Sequence, residues 1–365
     1  MTSTRAGTAR PPGRSAGSGG GRKPTSRGAK ARNIILIIVV VLLAIVAGIA
    51  FTAYGKVQQF DANVGRTDPF AGLTNRPGQG VSGAQNFLLI GSDTRDNSLP
   101  SQAKAEDIAR TGGQRSDTLI LMHVNAAHDH AYLVSIPRDL YVTVPAGGPW
   151  QGGKTKVNAA FAYGGARLAV QTIEGFSGVK IDHVIMINFA GFKKMTDALG
   201  GVNVVVKQTV TDPETHATFR AGVNHLNGTM ALYYVRQRHG LPGGDFDRVK
   251  RQQQFIRALL ATATARGTLT DPVKLSNFLD ATAAALVVDK NLSVGKTAVQ
   301  FRGLRAKDLT FITMPHLDQE DRIPGVGLVV RSDKPKALAL FEAMNKDNVN
   351  DWLKSNPANT VSSGY

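Results

Sequence analysis

Cysteine is absent from the 365 residues, so the chain has no disulfide, no thiolate zinc site and no cysteine nucleophile. No acidic residue precedes Asp61, whereas Arg5, Arg10, Arg14, Arg22, Lys23, Arg27, Lys30 and Arg32 all do. The net charge of +16 is therefore uneven: without those eight, 35 basic residues stand against 27 acidic ones, or +8. No charge of either sign falls between Ile34 and Ala53, and no internal repeat is present.

The uncharged run, IILIIVVVLLAIVAGIAFTA, is 20 residues long. As a helix rising about 1.5 Å per residue it crosses a hydrocarbon core of about 30 Å. A secretory signal has an apolar region of only about 7–15 residues and an A-x-A-like site, so this run reads as an uncleaved transmembrane anchor. The excess of positive charge on its N-terminal flank, eight residues against Lys56 alone close behind the run, predicts that residues 1–33 are cytoplasmic and that everything beyond about Tyr54 is extracytoplasmic. The basic tail, rich in Gly, Ser, Pro and Arg, has the composition of a nucleic-acid arm or of a disordered topology signal. The anchor behind it needs such a flank, which favours the second. Function outside the cytoplasm operates without cytosolic nucleotides, and no nucleic-acid partner is expected.

With 42% hydrophobic and 19% charged residues, the outer part suits one large α/β domain. Residues 54–84 mix Gly, Pro, Asn and Gln without sustained periodicity and read as a stalk. The folded domain is expected over 85–345, and polar 346–365 reads as a frayed tail. Strands are predicted at Asn86–Ile90, Thr118–Val124, Ala131–Ile136, Val184–Asn188 and Val202–Val206, the second and third joined as a hairpin by Asn125–His130. Helical spacing marks Lys156–Tyr163, Arg167–Phe176, Phe189–Leu199, Asp247–Ala265, Pro272–Leu286 and Lys334–Asn345, with Gly200-Gly201 closing the third. Such alternation predicts a mixed sheet covered by helices on both faces.

Chemistry-bearing residues cluster at the strand ends. Asp93 lies in Gly91-Ser92-Asp93-Thr94-Arg95 after the first strand, and Asp117 in Arg115-Ser116-Asp117-Thr118 before the second. Two carboxylates placed this way either hold Mg²⁺ together with phosphate oxygens or act as turn and cap residues. Ser135-Ile136-Pro137-Arg138-Asp139 ends the hairpin, with proline stopping the ladder and Arg138 either aimed away from it or paired with an acid on the surface. Arg236 and Arg238, two apart, share a side if their segment is extended. Arg248, Arg251 and Gln252 share one helical face, which alone reads as a solvated charged face. Several arginines beside two acids suit an anion with a divalent ion, because guanidinium is always charged and grips phosphate bidentately.

The motifs NFLLIGSDTR, RSDT, SIPRD, KVNAAF, DHVIMINF, LGGV, LNGTMALYYVRQR and DFDRVKRQQ, in this order over residues 85–345, resemble the LytR-CpsA-Psr family of cell-wall phosphotransferases. The resemblance implies a three-layer α/β/α sandwich with a central mixed sheet, held in the cell membrane by one N-terminal helix. It implies transfer of a phosphorylated glycan from a polyprenyl pyrophosphate carrier to peptidoglycan, the glycan being teichoic acid, capsule or arabinogalactan. Carried over by position, Asp93 and Asp117 would hold Mg²⁺, with Mn²⁺ as the alternative. Arg115, Arg138, Arg236, Arg238, Arg248 and Gln252 would surround the pyrophosphate, with Asp93 and Arg138 catalytic. The stretch between Asp93 and Arg115 is longer than that pattern and carries Lys104, Glu106, Asp107 and Arg110.

Phe161, Phe189, Phe192, Met195, Phe255, Ile256 and Leu259 lie on helical stretches and read either as the wall of a lipid slot or as ordinary core. Gly148 to Thr155 fits the P-loop pattern G-x-x-x-x-G-K-[ST], but Pro149 removes a cradle N–H. His128-Asp129-His130 reads as an exposed hairpin tip rather than a metal site. The competing non-enzymatic function is a membrane-anchored receptor for polyprenyl phosphates or anionic wall polymers, which the same basic groove would serve.

Overall fold

The computed structural model describes residues 60–92, 116–237, 240–241, 251, 254–255, 258–259, 261–263, 265–269, 271–301, 303–304 and 308–360. The expected anchor at 34–53 and the 93–115 stretch lie outside them.

Fifteen described strands run in order: β1 Gly65–Thr67, β2 Gln85–Ser92, β3 Ser116–Val124, β4 Ala131–Ile136, β5 Tyr141–Val144, β6 Gly153–Lys156, β7 His183–Asn188, β8 Val202–Val206, β9 Val210–Thr211, β10 Thr218–Phe219, β11 Gly222–Leu226, β12 Leu286–Asp289, β13 Leu309–Thr313, β14 His316–Ile323 and β15 Gly327–Ser332. The principal helices are α1 Val157–Ser177, α2 Phe189–Ala198, α3 Gly228–Arg236, α4 Pro272–Ala285, α5 Val294–Gln300, α6 Lys334–Asn345 and α7 Val349–Ser355. Seven strands form one mixed sheet, in the order β1-β12-β7-β2-β3-β4-β13. β3 lies antiparallel to both β2 and β4, β7 is parallel to β2, and β13 is parallel to β4.

Both faces of this sheet are covered, as the alternation along β2 shows. Phe87 and Leu89 enter one core with α2, α3, α4 and Phe255, whereas Leu88 and Ile90 enter the other with α1 and α6. The sheet is thus the middle of three layers. The apolar helix residues divide between the two cores: Phe161 is buried on the α1 side, while Phe192, Met195, Phe255 and Leu259 are buried on the opposite side. They therefore do not line a single slot.

Several expectations are corrected. Residues 60–84 are not a free stalk, because Phe60 and Val64 are core residues and β1 pairs parallel with β12 at the sheet edge. The polar C-terminal stretch is not frayed over 349–355: α7 buries Val349, Trp352 packs on the α1-side core, and Thr360 bridges Ile312. The two helices expected at 156–163 and 167–176 are, by contrast, both present: α1 breaks between them where Gly164 (φ −135°, ψ 18°) and Gly165 (φ 61°, ψ −155°) leave helical geometry. The Ala-rich helix ending at Leu286 stops at Ala285 instead, because Leu286–Asp289 joins the sheet beside β7.

Gly228 explains the glycine of the LNG motif. A Cβ there would lie 2.2 Å from the Lys193 carbonyl oxygen and 2.6 Å from its Cα, so α3 can start against α2 only with no side chain at this position. Asn227 caps α3 by accepting from Met230 N at 2.9 Å. Gly228→Ala is expected to destabilise the fold by about 1–3 kcal/mol through overpacking, read as a lower urea midpoint. An unchanged midpoint would contradict this close approach.

At the opposite end of the sheet from Ser92, His123 is fully buried. Its Nδ1 lies 2.8 Å from Asn86 Oδ1 and its Nε2 2.9 Å from Asp347 Oδ1, tying the end of α6 to β2 and β3. Burial pushes this imidazole below its ordinary value, while the hydrogen bond and charge of Asp347, with a smaller contribution from Asp182, draw it partly back. A histidine with a depressed folded pKa binds its proton more readily in the unfolded chain. Stability is then intact above the ordinary value of about 6.5 and declines as pH falls through it toward the folded pKa. The unfolding midpoint should therefore drop between about pH 7.5 and pH 5.5, with a shallower slope in His123→Phe. Equal slopes in the two proteins would rule out His123 as the titrating group.

Candidate functional site

The sheet's register decides which sequence motifs meet. Ser92 pairs with Ser116 on one side and with Asn188 on the other, Leu119 pairs with Ile136, and Ser135 pairs with Thr313. One end of the sheet thus gathers the end of β2, the start of β3, and the ends of β4, β7 and β13. Ligands of open α/β sheets bind at such carboxyl ends.

Asp93 follows Ser92 directly and itself lies outside the described residues. Asp117 sits where the β2–β3 register shifts: Gly91 pairs with Thr118 and Ser92 with Ser116, leaving position 117 as the extra residue of a bulge. Bulges recur beside active sites because they re-aim a side chain. The strand ends carrying the two carboxylate positions are thus neighbours, and their hard oxygen donors fit a divalent ion of the Mg²⁺ type.

Arg138 and Asp139 are the central residues of a turn closed by Leu140 N donating to Pro137 O at 2.9 Å. This turn is fixed on three further sides. Asn158 N donates to Arg138 O at 3.1 Å, Val157 N to Leu140 O at 2.8 Å, and Val330 N to Asp139 O at 2.9 Å. The first turn of α1 and strand β15 therefore hold the backbone that carries Arg138. Arg138 Nε lies 3.3 Å from Asp139 Oδ2, and Lys156 Nζ lies 3.1 Å from Asp139 Oδ1. The surface ion pair envisaged for Arg138 is formed, and Lys156, the residue preceding α1, joins it.

Arg236 reaches the same end from another element. It is the last residue of α3 and exposed, and its guanidinium carbon lies 4.8 Å from the Phe189 ring centroid. Phe189 opens α2 directly after Asn188, the residue paired with Ser92. The extended geometry considered for residues 234–238 is not adopted through Arg236, because the Asn227-capped helix continues to it. Only Gln237, with φ −55° and ψ 128°, leaves the helix.

Arg251, which shares one predicted helical face with Arg248 and Gln252, is buried. Its guanidinium lies 4.6 Å from the Tyr234 ring and 5.3 Å from the Phe219 ring, and Nη1 donates to Gln237 Oε1 at 2.5 Å. It thereby ties its own helix to the residue between Arg236 and Arg238. Arg115, Arg238, Arg248 and Gln252 lie outside the described residues.

The P-loop pattern is accounted for differently. Gly153, Lys154 and Thr155 form part of β6 and pair with Val144, Thr143 and Val142 of β5, so this segment is a hairpin strand and not a phosphate cradle. Trp150 in the connecting loop stacks on Tyr163 at 4.9 Å between centroids. At the β3–β4 tip, His128 Nε2 lies 2.9 Å from Gly83 O, and Asn125 Oδ1 accepts from the backbones of Asp129 and His130. Among the described residues no group of three or more potential metal-ligating side chains is present.

The sequence profile of the LytR_cpsA_psr family matches residues 48–346. The cell wall biosynthesis protein LcpA of Corynebacterium glutamicum is 33% identical over 305 residues, covering 75% of this chain; the match spans 58% of LcpA itself. The polyisoprenyl-teichoic acid–peptidoglycan teichoic acid transferase TagU of Enterococcus faecalis is 29% identical over 306 residues, covering 83% of this chain and 90% of TagU. Among solved structures, protein gbs0355 of Streptococcus agalactiae shares the fold with a TM-score of 0.57 and 24% identity, covering 73% of this chain and 88% of that one.

Proposed function

Because this chain belongs to the LytR-CpsA-Psr family, we propose that it is a membrane-anchored transferase moving a phosphorylated glycan from a polyprenyl pyrophosphate carrier onto peptidoglycan. The observation that carries the proposal is the convergence at one sheet end of Arg138, Arg236 and the strand termini adjoining Asp93 and Asp117. The name of TagU, a teichoic acid transferase acting on peptidoglycan, supports the same class of donor and acceptor. The charge asymmetry around residues 34–53 supports a single membrane crossing with the catalytic domain outside.

The chemistry follows from the groups present. An acceptor hydroxyl oxygen attacks the phosphorus that bears the glycan. The bond from that phosphorus to the bridging oxygen breaks, and polyprenyl phosphate leaves with the electron pair. Arg138 and Arg236, with Arg115, Arg238, Arg248 and Gln252 around the same anion, stabilise charge on the transferring phosphoryl group and on the leaving phosphate. A divalent ion held by Asp93 and Asp117 would add Lewis-acid stabilisation of the phosphoryl oxygens. Arginine stays protonated, so Asp93 is the better acceptor for the hydroxyl proton if the metal does not fully engage its carboxylate. No nucleotide is required, because the pyrophosphate is already activated.

A chelator experiment tests the metal. Given a peptidoglycan fragment as acceptor, full-length protein in detergent should release polyprenyl phosphate from a polyprenyl pyrophosphate oligosaccharide, EDTA should stop the release, and added Mg²⁺ or Mn²⁺ should restore it. Release that is indifferent to EDTA would remove the metal from this mechanism.

A further inference from the structure

We propose that Asp139 is a positioning residue, whose carboxylate holds the Arg138 guanidinium in the direction that meets the pyrophosphate; this rests on the transferase reading. Its two oxygens are divided between Arg138 Nε at 3.3 Å and Lys156 Nζ at 3.1 Å. The backbone around it is already fixed by Asn158, Val157, Val330 and the turn's own bond, so the turn does not depend on this carboxylate for its shape. What the carboxylate acts on is the long arginine side chain, through Arg138 Nε. Ordering such a chain during binding or in the transition state costs conformational entropy, and a partner that orders it beforehand lowers that cost.

Charge makes the role testable by its sign. A carboxylate beside an anion site repels the anion, so if Asp139 contributed only its charge, neutralising it would strengthen pyrophosphate binding. Positioning requires the opposite. A partly exposed ion pair also contributes little to folding, so the effect should fall on the site rather than on the fold.

The experiment is a double-mutant cycle in full-length protein with Asp139→Asn, Arg138→Ala and the pair. Two quantities are measured: kcat/KM for transfer from a polyprenyl pyrophosphate oligosaccharide, and binding of inorganic pyrophosphate. Asp139→Asn is expected to lower kcat/KM by about 10- to 100-fold and to weaken pyrophosphate binding, with the unfolding midpoint changed by no more than about 2–4 °C. Added to Arg138→Ala, it should cost less than about a further threefold, since its effect passes through the missing arginine. Tighter or unchanged pyrophosphate binding in Asp139→Asn, or losses that multiply in the double variant, would overturn the role. If wild-type protein binds pyrophosphate without turning over, the transferase reading fails and the binding cycle alone decides for Asp139. Wild-type protein that does not bind pyrophosphate at all would overturn both.

Discussion

Arg138→Ala should lower kcat/KM for glycan transfer by about 10²–10³-fold while the unfolding midpoint stays within a few degrees. The size of the loss follows from removing one preorganised donor from a site where negative charge moves between two phosphates. The selectivity follows from the structure: the Arg138 side chain is 34% exposed, and its turn is held by backbone hydrogen bonds that alanine retains. Arg138→Lys should recover only part of the activity, because a point charge does not replace a planar, bidentate fork. A variant that loses transfer only because it unfolds would show a midpoint well below wild type, and that result would remove Arg138 from the mechanism.

A chain beginning at Gln85 should fail to give a cooperative unfolding transition, whereas one beginning near Val57 should give it. The truncation removes Phe60 and Val64, each only 3% exposed, and the β1 edge of the sheet. It also removes Arg76, which stacks 4.4 Å over Phe70 and pairs with buried Glu174 through Nη2 at 2.6 Å and Nε at 3.1 Å. Glu174 Oε1 also accepts from Ile181 N at 2.8 Å. Without Arg76, a carboxylate on the buried side of α1 loses its cation, a change that alone costs about 3–5 kcal/mol. Losing the Phe60 ring adds about another 3–5 kcal/mol. Domains hold only about 5–15 kcal/mol in all, so little stability remains. Equal urea midpoints for the two chains would show that residues 60–84 are not part of the folded unit.

That boundary also illustrates what local pattern conveys and what it omits. β4, β8 and α6 lie where the sequence places them, because Ala131–Ile136 and Val202–Val206 are short apolar runs between turn signals, and Lys334–Asn345 has helical spacing after a capping Asp333. β1 is three residues of Gly, Arg and Thr, and only its pairing with β12 makes it a strand. β12 has no signal of its own, since Leu286-Val287-Val288 continues an Ala-rich apolar stretch whose helical spacing runs to Leu286, and only the neighbouring β7 makes it a strand. The β5–β6 hairpin encloses Gly-Pro-Trp-Gln-Gly-Gly, a run that fits a phosphate loop as well as a hairpin connection, and only the pairing of β5 with β6 decides between them.

Sequence motifs single out Arg138 and Arg236, and the fold brings both to one end of the sheet, Arg138 through the end of β4 and Arg236 through its contact with Phe189. What sequence did not reveal is pairing across distance. Lys156 reaches Asp139 only because the β5–β6 hairpin folds back on the turn. Arg251 resembles Arg248 in sequence, and its burial is set by Phe219 and Tyr234, which come from other elements. Residue type alone does not separate a structural arginine from one that faces an anion.

The most direct test is transfer itself. Full-length protein in detergent is incubated with a polyprenyl pyrophosphate oligosaccharide, a peptidoglycan fragment and Mg²⁺, and both products are followed. Release of polyprenyl phosphate in step with a phosphodiester-linked glycan on the peptidoglycan is the expected result, slowed about 10²–10³-fold in Arg138→Ala. Tight binding of the lipid with no product, under any divalent ion or acceptor, would contradict it and identify the protein as a receptor for the lipid-linked polymer.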